Sequence, residues 1–303
     1  MNGQEQAAIA LLQESGNYRV LQRLNAPLRY LDGEPEVPRM GVVVDTETTG
    51  LDTSKDKIIE LGFVAFEYDA KTGGIYRVLH TYDGFEDPHE PLSDVVKKLT
   101  GIDDAMVQGQ TLDDDEINAW LGRASLVMAH NAGFDRAMLE RRLPITERLA
   151  WACTFQDMDW DAENIGSRKL DYIAYQMGYF FDGHRAVNDA QATLHLLARA
   201  LPVTQQAGLA ALLLAARQST VRIFALNAPF EQKDTLKERG YRWLADFAYR
   251  GKRGVWSIAL PEADREDEER WLKAVVYAGK TAAFQSKVLT AKERYSLREF
   301  ALD

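Results

Sequence analysis

Five side chains of this sequence have the types and spacing that metal-assisted hydrolysis requires. Asp45 and Glu47 stand two residues apart directly after a run of three valines, so on a strand both carboxylates point to the same face. Asp135 and Asp189 each stand where a helix is predicted to begin, and His184 precedes Asp189 by five residues. A hard divalent cation prefers oxygen ligands, and a histidine of near-neutral pKa can take a proton from an attacking water.

The short segments that carry Asp45 and Glu47, Asp135, and Asp189 are here called the acidic blocks. Each acidic block taken alone has a simpler interpretation. An isolated pair such as Asp45 and Glu47 is more often a solvated strand end than a pair of ligands. Asp135 and Asp189 can each interact favourably with the positive end of a helix dipole. The conjunction of the blocks is what favours a two-metal hydrolytic site, because such a site takes a few carboxylates from separate elements.

These side chains must be positioned by a sheet with helices packed on it. The β-branched run 42–44 is typical of a central strand covered on both faces, and a turn at 71–74 joins two further strands into an antiparallel hairpin. The predicted strands are 41–45, 58–68, 75–82 and 125–129, and the predicted helices are 92–99, 112–121, one from Phe134, 170–177 and 187–201. We therefore predict an α/β domain with a mixed sheet.

The flanking regions predict further units. Residues 1–38 have the apolar spacing of a helical extension, with a second short helix around Val20, Leu21 and Leu24. The Ala- and Leu-rich segment 204–217 predicts a connecting helix, and a new strand-like run places a boundary near Ser219. The expected organisation is an extension at 1–38, a main α/β domain at 39–201, a connecting helix at 202–218 and a small α+β accessory domain at 219–303.

The composition is that of a folded globular protein. The chain has 303 residues and 34.2 kDa, which suits about two domains, with 46% hydrophobic and 27% charged residues and a mean hydropathy of -0.32. No window approaches the roughly 18 apolar residues of a membrane span, and Met1–Glu5 does not read as a signal peptide, so we expect a cytoplasmic protein without a membrane partner. The single cysteine, Cys153, excludes an intramolecular disulfide and is expected to be a buried, inert thiol.

The charge is unevenly distributed along the chain. The net charge of -10 argues against a generic cationic coat protein for nucleic acid. From Thr220 onward there are 16 Lys and Arg against 13 Asp and Glu, or +3, which leaves -13 for the rest. Aromatic and cationic residues alternate in this basic part, as in proteins that bind single strands, although a domain of about 85 residues also needs aromatics for its core. We favour the core for most aromatics and nucleic-acid binding for the cluster Arg250–Arg253.

The acidic blocks, within residues 39–201, closely resemble the DEDDh branch of the DnaQ-like 3′-to-5′ exonucleases, the family of proofreading exonuclease subunits. The segments Ile58–Leu61 and Leu99–Ile102 also look like family blocks. The sister branch places a tyrosine four residues before the last acid, whereas position 185 here is Arg. The resemblance implies a ribonuclease H-like fold with a five-stranded mixed sheet flanked by helices.

The resemblance implies a role for each of the five side chains, when the roles of the family's residues are assigned to the matching positions of this sequence. Asp45, Glu47 and Asp189 would hold the first of two Mg²⁺ or Mn²⁺ ions, and Asp45 would bridge to the second. Asp135 would act mainly through metal-bound water, and His184 would be the general base. The product would be a nucleoside 5′-monophosphate. Two cations would also offset the acidic charge of this part of the chain.

The resemblance also implies where the substrate lies. Thr48, Thr49 and Leu51 resemble the segment that touches the terminal nucleotide, and Asn131 resembles a contact to the strand's backbone. The expected substrate is the 3′ end of DNA, single-stranded, in repair or proofreading. In the tail, residues 226–243 look like a small module often appended to DNA-processing proteins, and the charge run 262–270 is interpreted as the solvated face of a helix.

Three alternatives remain open at this stage. An exoribonuclease would use the same chemistry, because nothing in the residues shows whether a 2′-hydroxyl is accepted. A non-catalytic nucleic-acid-binding protein with a relic site belongs to another class. A polymerase or another DNA-processing protein could be a partner, although no clear clamp-binding peptide is present.

The remaining histidines are predicted to be structural or are left undecided. His80 and His89 have no acidic partner at a recognisable spacing, and His195 lies in the middle of a predicted helix beside Leu194, so structural roles are expected for all three. His130 directly precedes Asn131, and for it packing and the orientation of that loop are equally good interpretations.

Overall fold

The computed structural model describes residues 3–278 and 280–302, with the side chain of Lys252 outside the described part. The strands in chain order are β1 (Gln22–Arg23), β2 (Pro38–Thr48), β3 (Ile58–Asp69), β4 (Ile75–Phe85), β5 (Leu126–Ala129), β6 (Trp151–Cys153), β7 (Tyr179–Phe180), β8 (Thr220–Ala225), β9 (Arg242–Tyr249), β10 (Lys252–Pro261) and β11 (Phe284–Leu289). The α-helices are α1 (Gly3–Glu14), α2 (Asp94–Thr100), α3 (Asp104–Val107), α4 (Asp114–Leu121), α5 (Ala132–Arg142), α6 (Leu170–Gln176), α7 (Ala186–Leu197), α8 (Gly208–Arg217), α9 (Lys233–Glu238) and α10 (Arg265–Trp271).

A mixed five-stranded sheet forms the main domain. Its strand order is β4-β3-β2-β5-β6, with β3 antiparallel to both of its neighbours and β5 parallel to β2 and to β6. Only β3 therefore runs against the others, because a hairpin joins it to β4 while longer crossovers join the parallel strands. This arrangement confirms the predicted α/β class and the ribonuclease H-like, five-stranded sheet.

The central strand β2 is covered on both faces. Val43 packs into a cluster with buried residues of α6, α7 and α8, whereas Val42 and Val44 face a second cluster with residues of α4 and α5. All three valines are fully buried. The uninterrupted β-branched run is explained by this position, since a strand with two covered faces has no solvent side for polar residues.

Two short strands differ from what the sequence predicts. The segment around Val20 and Leu24 is not a second helix: β1 pairs in parallel with β7, and the Leu24 amide donates to the Phe180 carbonyl at 2.8 Å. The edge strand β6 has only three residues and was not identified as a strand from its sequence. Both strands are too short to show an alternating pattern, so their existence depends on the neighbouring strand that supplies hydrogen-bond partners.

Helix α7 is shorter than the predicted 187–201. It ends at Leu197, and the following residues turn back so that the Leu201 amide donates to the Gln206 carbonyl at 2.8 Å. The Gly208 amide likewise donates to the Arg199 carbonyl at 2.8 Å. The apolar stripe continues to Leu201 because that side chain is still buried, although its backbone belongs to the turn.

Residues after α8 form a second sheet with the order β11-β8-β10-β9, all antiparallel. Phe224, Tyr241 and Phe247 are buried in it, as expected for a core, whereas Phe230 and Trp243 are 76% and 52% exposed. Residues 290–301, here called the C-terminal segment, leave this sheet and lie against the main domain. There the Trp151 amide of β6 donates to the Ala291 carbonyl at 2.7 Å, which covers part of the sheet edge.

Among the described residues, no helix combines the length and the apolar character that crossing a bilayer requires.

Candidate active site

The carboxyl end of β2 presents two carboxylates on one side of the sheet. Asp45 and Glu47 are half-buried, while Thr46 and Thr48 between and after them are buried on the opposite side. This alternation follows from the two-residue period of a strand, as the sequence predicts. The strand therefore delivers two acidic side chains to the same place.

Asp189 completes a group of three carboxylates. It lies in the first turn of α7, and its carboxylate, with those of Asp45 and Glu47, offers ligand atoms that all lie within 4.8 Å of one another. Of the described residues, these three form the group that could hold a metal ion. All donors are carboxylate oxygens, which are the ligands that Mg²⁺ and Mn²⁺ prefer.

The electrostatics of this group favour a bound cation. Burial, and then the charges of Asp135 and Asp189, raise the pKa of Asp45 well above its usual value. Burial and the charge of Asp189 raise the pKa of Glu47 to about 8, and burial raises the pKa of Asp189 to about 6. Three carboxylates this close repel one another, so a divalent cation between them would relieve a repulsion that the protein itself leaves largely uncompensated.

Asp135 lies beside this group but is engaged differently. It is 4% exposed in the first turn of α5, and its Oδ1 accepts from the Thr46 amide at 3.0 Å and from the Thr46 hydroxyl at 2.9 Å. Thr46 therefore connects α5 to the strand that carries Asp45 and Glu47. Burial raises the pKa of Asp135 to about 7, although the bonds from Thr46 act in the opposite direction.

The start of α5 is also supported by the single cysteine. The Ala132 amide donates to the Sγ of Cys153 at 3.3 Å, and the thiol is fully buried. Burial raises the pKa of Cys153 to about 12, so the thiol stays protonated at neutral pH, as expected for an inert cysteine.

A buried glutamate positions the helix that carries Asp189. Glu60 on β3 is opposite Glu47 in the strand register and is fully buried. Its Oε1 accepts from Nε and Nη2 of Arg185 at 2.9 and 2.7 Å, and its Oε2 accepts from the Ala186 amide at 2.8 Å. The sequence singled out Glu60 only as part of a family block. The available signal was a single acid within the otherwise apolar run 58–66.

A glycine allows α7 to approach β3 closely. A Cβ built on Gly62 would lie 2.2 Å from the backbone nitrogen of Val187 and 2.3 Å from the carbonyl carbon of Ala186. Both contacts are with backbone atoms, which cannot rotate away as a side chain can. The absence of a side chain at position 62 therefore determines how near the start of α7 lies to the carboxylates of β2.

We expect Gly62→Ala to displace α7 and to lower the free energy of unfolding by about 1–3 kcal/mol, the usual cost of overpacking a buried contact. The displacement should also weaken the binding of Mn²⁺, measured by isothermal titration calorimetry. Gly166→Ala is the matched control, because position 166 has open space around its Cβ and lies outside the left-handed region. Thermal denaturation and Mn²⁺ affinity equal to wild type in Gly62→Ala would contradict this role of the glycine.

His184 lies on the exposed loop that leads into α7. Its backbone is in the left-handed region, with a φ of 62°, and its side chain is exposed to solvent. The next amide, that of Arg185, donates to Oδ2 of Asp189 at 3.2 Å. Burial raises the pKa of Asp189, and the charge of His184 acts in the opposite direction. The structure thus brings His184 into electrostatic range of Asp189.

The predicted substrate-binding residues lie at the end of β2, in the loop that follows it and directly before α5. The Thr48 hydroxyl donates to the Gly50 carbonyl at 2.6 Å, and the Thr49 hydroxyl lies 3.2 Å from Oδ1 of Asp56. Leu51, three residues after Thr48, is 87% exposed. Hydrogen bonds within the loop thus stabilise its conformation, while the apolar side chain of Leu51 is exposed to solvent.

Asn131, the other predicted contact, precedes α5 with a φ of 85° and an exposed side chain that makes no capping hydrogen bond. Its side chain is therefore available to a ligand.

Three of the other histidines have structural surroundings, whereas His89 is exposed on its loop, where its Nδ1 lies 3.4 Å from Oδ1 of Asp87, an acidic neighbour that the sequence analysis missed. Burial lowers the pKa of His130 to about 4, so its ring is neutral: Nε2 donates to the Arg168 carbonyl and Nδ1 accepts from the Thr154 hydroxyl, both at 2.8 Å. It therefore ties three loops together. His80 stacks on Trp120 at 4.6 Å between ring centroids and lies 2.8 Å from Glu116, an acidic neighbour that the spacing did not reveal. His195 packs edge-on against Tyr179.

Comparison with known proteins is consistent with this geometry. The family model RNase_T, described as Exonuclease, matches residues 42–197. The chain is 31% identical over 189 residues to a PolC-type DNA polymerase III of Caldanaerobacter subterraneus subsp. tengcongensis, a match over 58% of this chain and 13% of that protein. It is 34% identical over 190 residues to the PolC-type DNA polymerase III of Halalkalibacterium halodurans, over 57% of this chain and 12% of that protein. The chain thus spans about an eighth of the length of these relatives.

Among solved structures, Exonuclease X in complex with 5′ overhanging duplex DNA shares 23% identity and a TM-score of 0.41, covering 56% of this chain and 98% of that one. E. coli Exonuclease I in complex with a 5cy-dA13 oligonucleotide shares 14% identity and a TM-score of 0.48, covering 81% and 74%.

Proposed function

The chain belongs to the RNase_T exonuclease family, and from this premise we propose that it removes nucleotides one at a time from the 3′ end of single-stranded DNA, in repair or proofreading. The observation that carries the proposal is the group formed by Asp45, Glu47 and Asp189, whose ligand atoms lie within 4.8 Å of one another inside the family-matched region. DNA is favoured over RNA because the relatives cited above are DNA polymerases. We propose the cytoplasm as its location.

We propose that the carboxylates hold two ions, Mg²⁺ or Mn²⁺, because all of the donors are carboxylate oxygens. We assign Asp45, Glu47 and Asp189 to the first ion, Asp45 as the bridge to the second, and Asp135 to contacts through water, since Thr46 already occupies its Oδ1. When bound, such ions lower the pKa of the attacking water and stabilise the leaving 3′ oxygen, so that a nucleoside 5′-monophosphate is released.

The chain's own residues supply the proton acceptor and the binding surface. We assign the acceptance of the water's proton to the imidazole of His184, which is exposed to water and within electrostatic range of Asp189. Leu51 is exposed beside the site and can pack against the terminal base, while Thr48 and Thr49 shape the loop that holds it. Asn131 has a free amide to donate to a phosphate of the strand.

The proposal is tested by digestion of a 5′-labelled single-stranded DNA with Mg²⁺, beside an EDTA control and the matching RNA. A metal-dependent ladder that shortens one nucleotide at a time from the 3′ end of DNA supports the proposal. Faster digestion of RNA would replace it with an exoribonuclease. A substrate that stays intact with Mg²⁺ and also with Mn²⁺ would instead favour the non-catalytic alternative.

The general base should be separable from the metal ligands by mutation. We expect His184→Asn to lower kcat about 10²- to 10³-fold, within the range typical of a lost general base, while the affinity for Mn²⁺ changes little. Asparagine is chosen because it tolerates the left-handed backbone at this position. His89→Asn is the matched control, since His89 is also exposed and left-handed, with a φ of 56°. Equal losses in both variants, or none in His184→Asn, would refute the assignment.

We further propose the domain organisation expected from the sequence, with an extension at 1–38, the exonuclease domain at 39–201, a connecting helix at 202–218 and an accessory domain at 219–303. A polymerase or other DNA-processing partner is part of this proposal, because the relatives carry the matching segment within a DNA polymerase. Co-purification of a polymerase with the tagged chain would support such a partner.

A further inference from the structure

A cavity of about 570 Å³ opens in the accessory domain, outside the region that the exonuclease family model matches. The β9–β10 hairpin forms one wall, and residues 225–228 and 283–285 form the other. Its volume is within the range typical of sites for small molecules and single nucleotides. Its wall includes Ala225, Trp256 and Phe284, which also pack in the apolar cluster around Leu236, Tyr241 and Leu272, so the cavity opens on the core of the domain.

Trp243 provides an aromatic surface in this cavity. The side chain is 52% exposed, a large fraction for a tryptophan in a folded domain. Its strand partner Trp256 meets it edge-on, with ring centroids 5.5 Å apart. Below it lies Gly254, at an irregularity of the β9–β10 pairing, with a φ of +74°; a Cβ there would be 2.1 Å from Cζ2 of Trp243. Backbone and partner ring therefore hold the indole in place while much of it stays open to solvent.

Two cations without carboxylate partners border the same cavity. Several other cations of the domain face an acid, as Arg222 faces Glu299 and Arg239 faces Glu268. Within the described part of the chain, Arg250 and Arg253 make no such ion pair, and the guanidinium of Arg250 lies 5.1 Å from the ring of Tyr249. None of the described residues that line the cavity is acidic. Arg250 and Arg253 of the predicted basic cluster thus border the cavity. The side chain of Lys252, the third cation of that cluster, is outside the described part of the structure.

We propose that this cavity, the Trp243 pocket, binds one base of a single-stranded nucleic acid, with the base stacked on Trp243 and the adjoining phosphate at Arg250 and Arg253. This inference rests on the proposed function, because the strand it would hold is the substrate of the exonuclease site. Stacking on an aromatic face is independent of sequence, and uncompensated arginines attract phosphate. An apolar metabolite would not use the arginines, and a free phosphate would not use the indole.

The test measures binding separately from hydrolysis. Asp45→Asn protein, in EDTA, is titrated into a fluorescently labelled oligothymidylate, and the fluorescence anisotropy gives Kd. We expect Trp243→Ala to weaken binding about 5- to 150-fold, and Trp243→Phe to restore much of it because the phenyl ring can still stack. Arg253→Gln should lower the slope of log Kd against log salt by about 0.7, the value for one phosphate contact on a single strand.

The controls are Phe230→Ala and Arg242→Gln, which remove an exposed aromatic and an exposed cation of the same domain outside the pocket. An oligomer of abasic sites supplies the phosphates without bases, so its affinity should be unaffected by Trp243→Ala. Oligouridylate in a parallel titration distinguishes RNA from DNA as the source of the base. Thermal denaturation of each variant shows that it is folded.

The pocket and the proposed function can fail independently. If wild-type protein degrades the oligonucleotide with Mg²⁺ but Trp243→Ala and Phe230→Ala bind alike, the pocket proposal is overturned and the exonuclease stands. If Trp243→Ala weakens binding while wild-type protein hydrolyses nothing, the pocket stands and the proposed function fails. The pocket proposal would also be overturned if Trp243→Ala weakened binding of the abasic oligomer as much as binding of the oligothymidylate, because the indole would then not be recognising a base.

Discussion

Asp45→Asn protein is expected to show no measurable hydrolysis under conditions in which wild-type protein degrades a single-stranded DNA completely. Asp45 is the one carboxylate proposed to hold both ions, and each ion would supply several kcal/mol of transition-state stabilisation, so the loss should exceed about 10⁴-fold. Asparagine keeps the size of the side chain and removes only its charge. The initial rate of release of the 3′-terminal nucleotide is the measurement.

The same substitution should not destabilise the metal-free protein. Burial and then the neighbouring carboxylates raise the pKa of Asp45 above its value in the unfolded chain. A group with a raised folded-state pKa binds its proton more tightly when folded, so the free energy of unfolding falls as the pH rises above about 4 and through the folded-state pKa. At neutral pH in EDTA, the Tm of Asp45→Asn should therefore be equal to or above that of wild type. Addition of Mn²⁺ should raise the wild-type Tm more than that of the variant.

The matched control for Asp45→Asn is Asp115→Asn, which makes the same change of charge at an exposed position in the first turn of α4. It should retain the wild-type rate. Hydrolysis by Asp45→Asn within about tenfold of wild type, in folded protein, would exclude the three-carboxylate group as the catalytic site.

The part of the site that lies within one strand was predictable from the sequence, and the part that depends on distant contacts was not. A two-residue period places Asp45 and Glu47 on one face whatever surrounds them. The approach of Asp189 depends on α7 crossing β3 at Gly62 and on Glu60 binding the start of that helix. Gly62 and Glu60 lie more than a hundred positions before Asp189 in the chain, so no local sequence pattern predicts that they contact its helix. The four acids were grouped in the sequence analysis because of their number and their order along the chain. Their individual roles came from the family resemblance.

The fold shows the same division. Strand β2 and the β3–β4 hairpin have strong local signals, a fully apolar run and a glycine turn, and both were predicted. Strand β6 has three residues and no alternation, and it exists because β5 on one side and Ala291 on the other complete its hydrogen bonds. The end of α7 was predicted too late for a related reason, since burial of Leu201 preserves the helical spacing after the helix has ended.

The C-terminal segment is bound to the helix that carries Asp135. Arg136, the next residue, is fully buried and donates from Nη1 to the Arg294 carbonyl at 2.7 Å and from Nη2 to the Lys292 carbonyl at 2.6 Å. Its Nε pairs with Glu140 at 2.6 Å. A buried guanidinium with several acceptors is stable only while all of them stay in place. Arg136 thus joins the C-terminal segment to the helix that carries Asp135.

Arg136→Met is therefore expected to be strongly destabilising. Methionine fills a similar volume but leaves the carbonyls of Lys292 and Arg294 without their buried donor, and a buried network broken from one side typically costs about 3–5 kcal/mol. The Tm should fall by roughly 10 °C, and trypsin should cleave within residues 290–301 before the rest of the chain unfolds. Arg148→Met, at an exposed position close by, should change neither readout. If Arg136→Met keeps the wild-type Tm and cleavage pattern, then the C-terminal segment is held by its other contacts, and Arg136 does not couple that segment to the helix of Asp135.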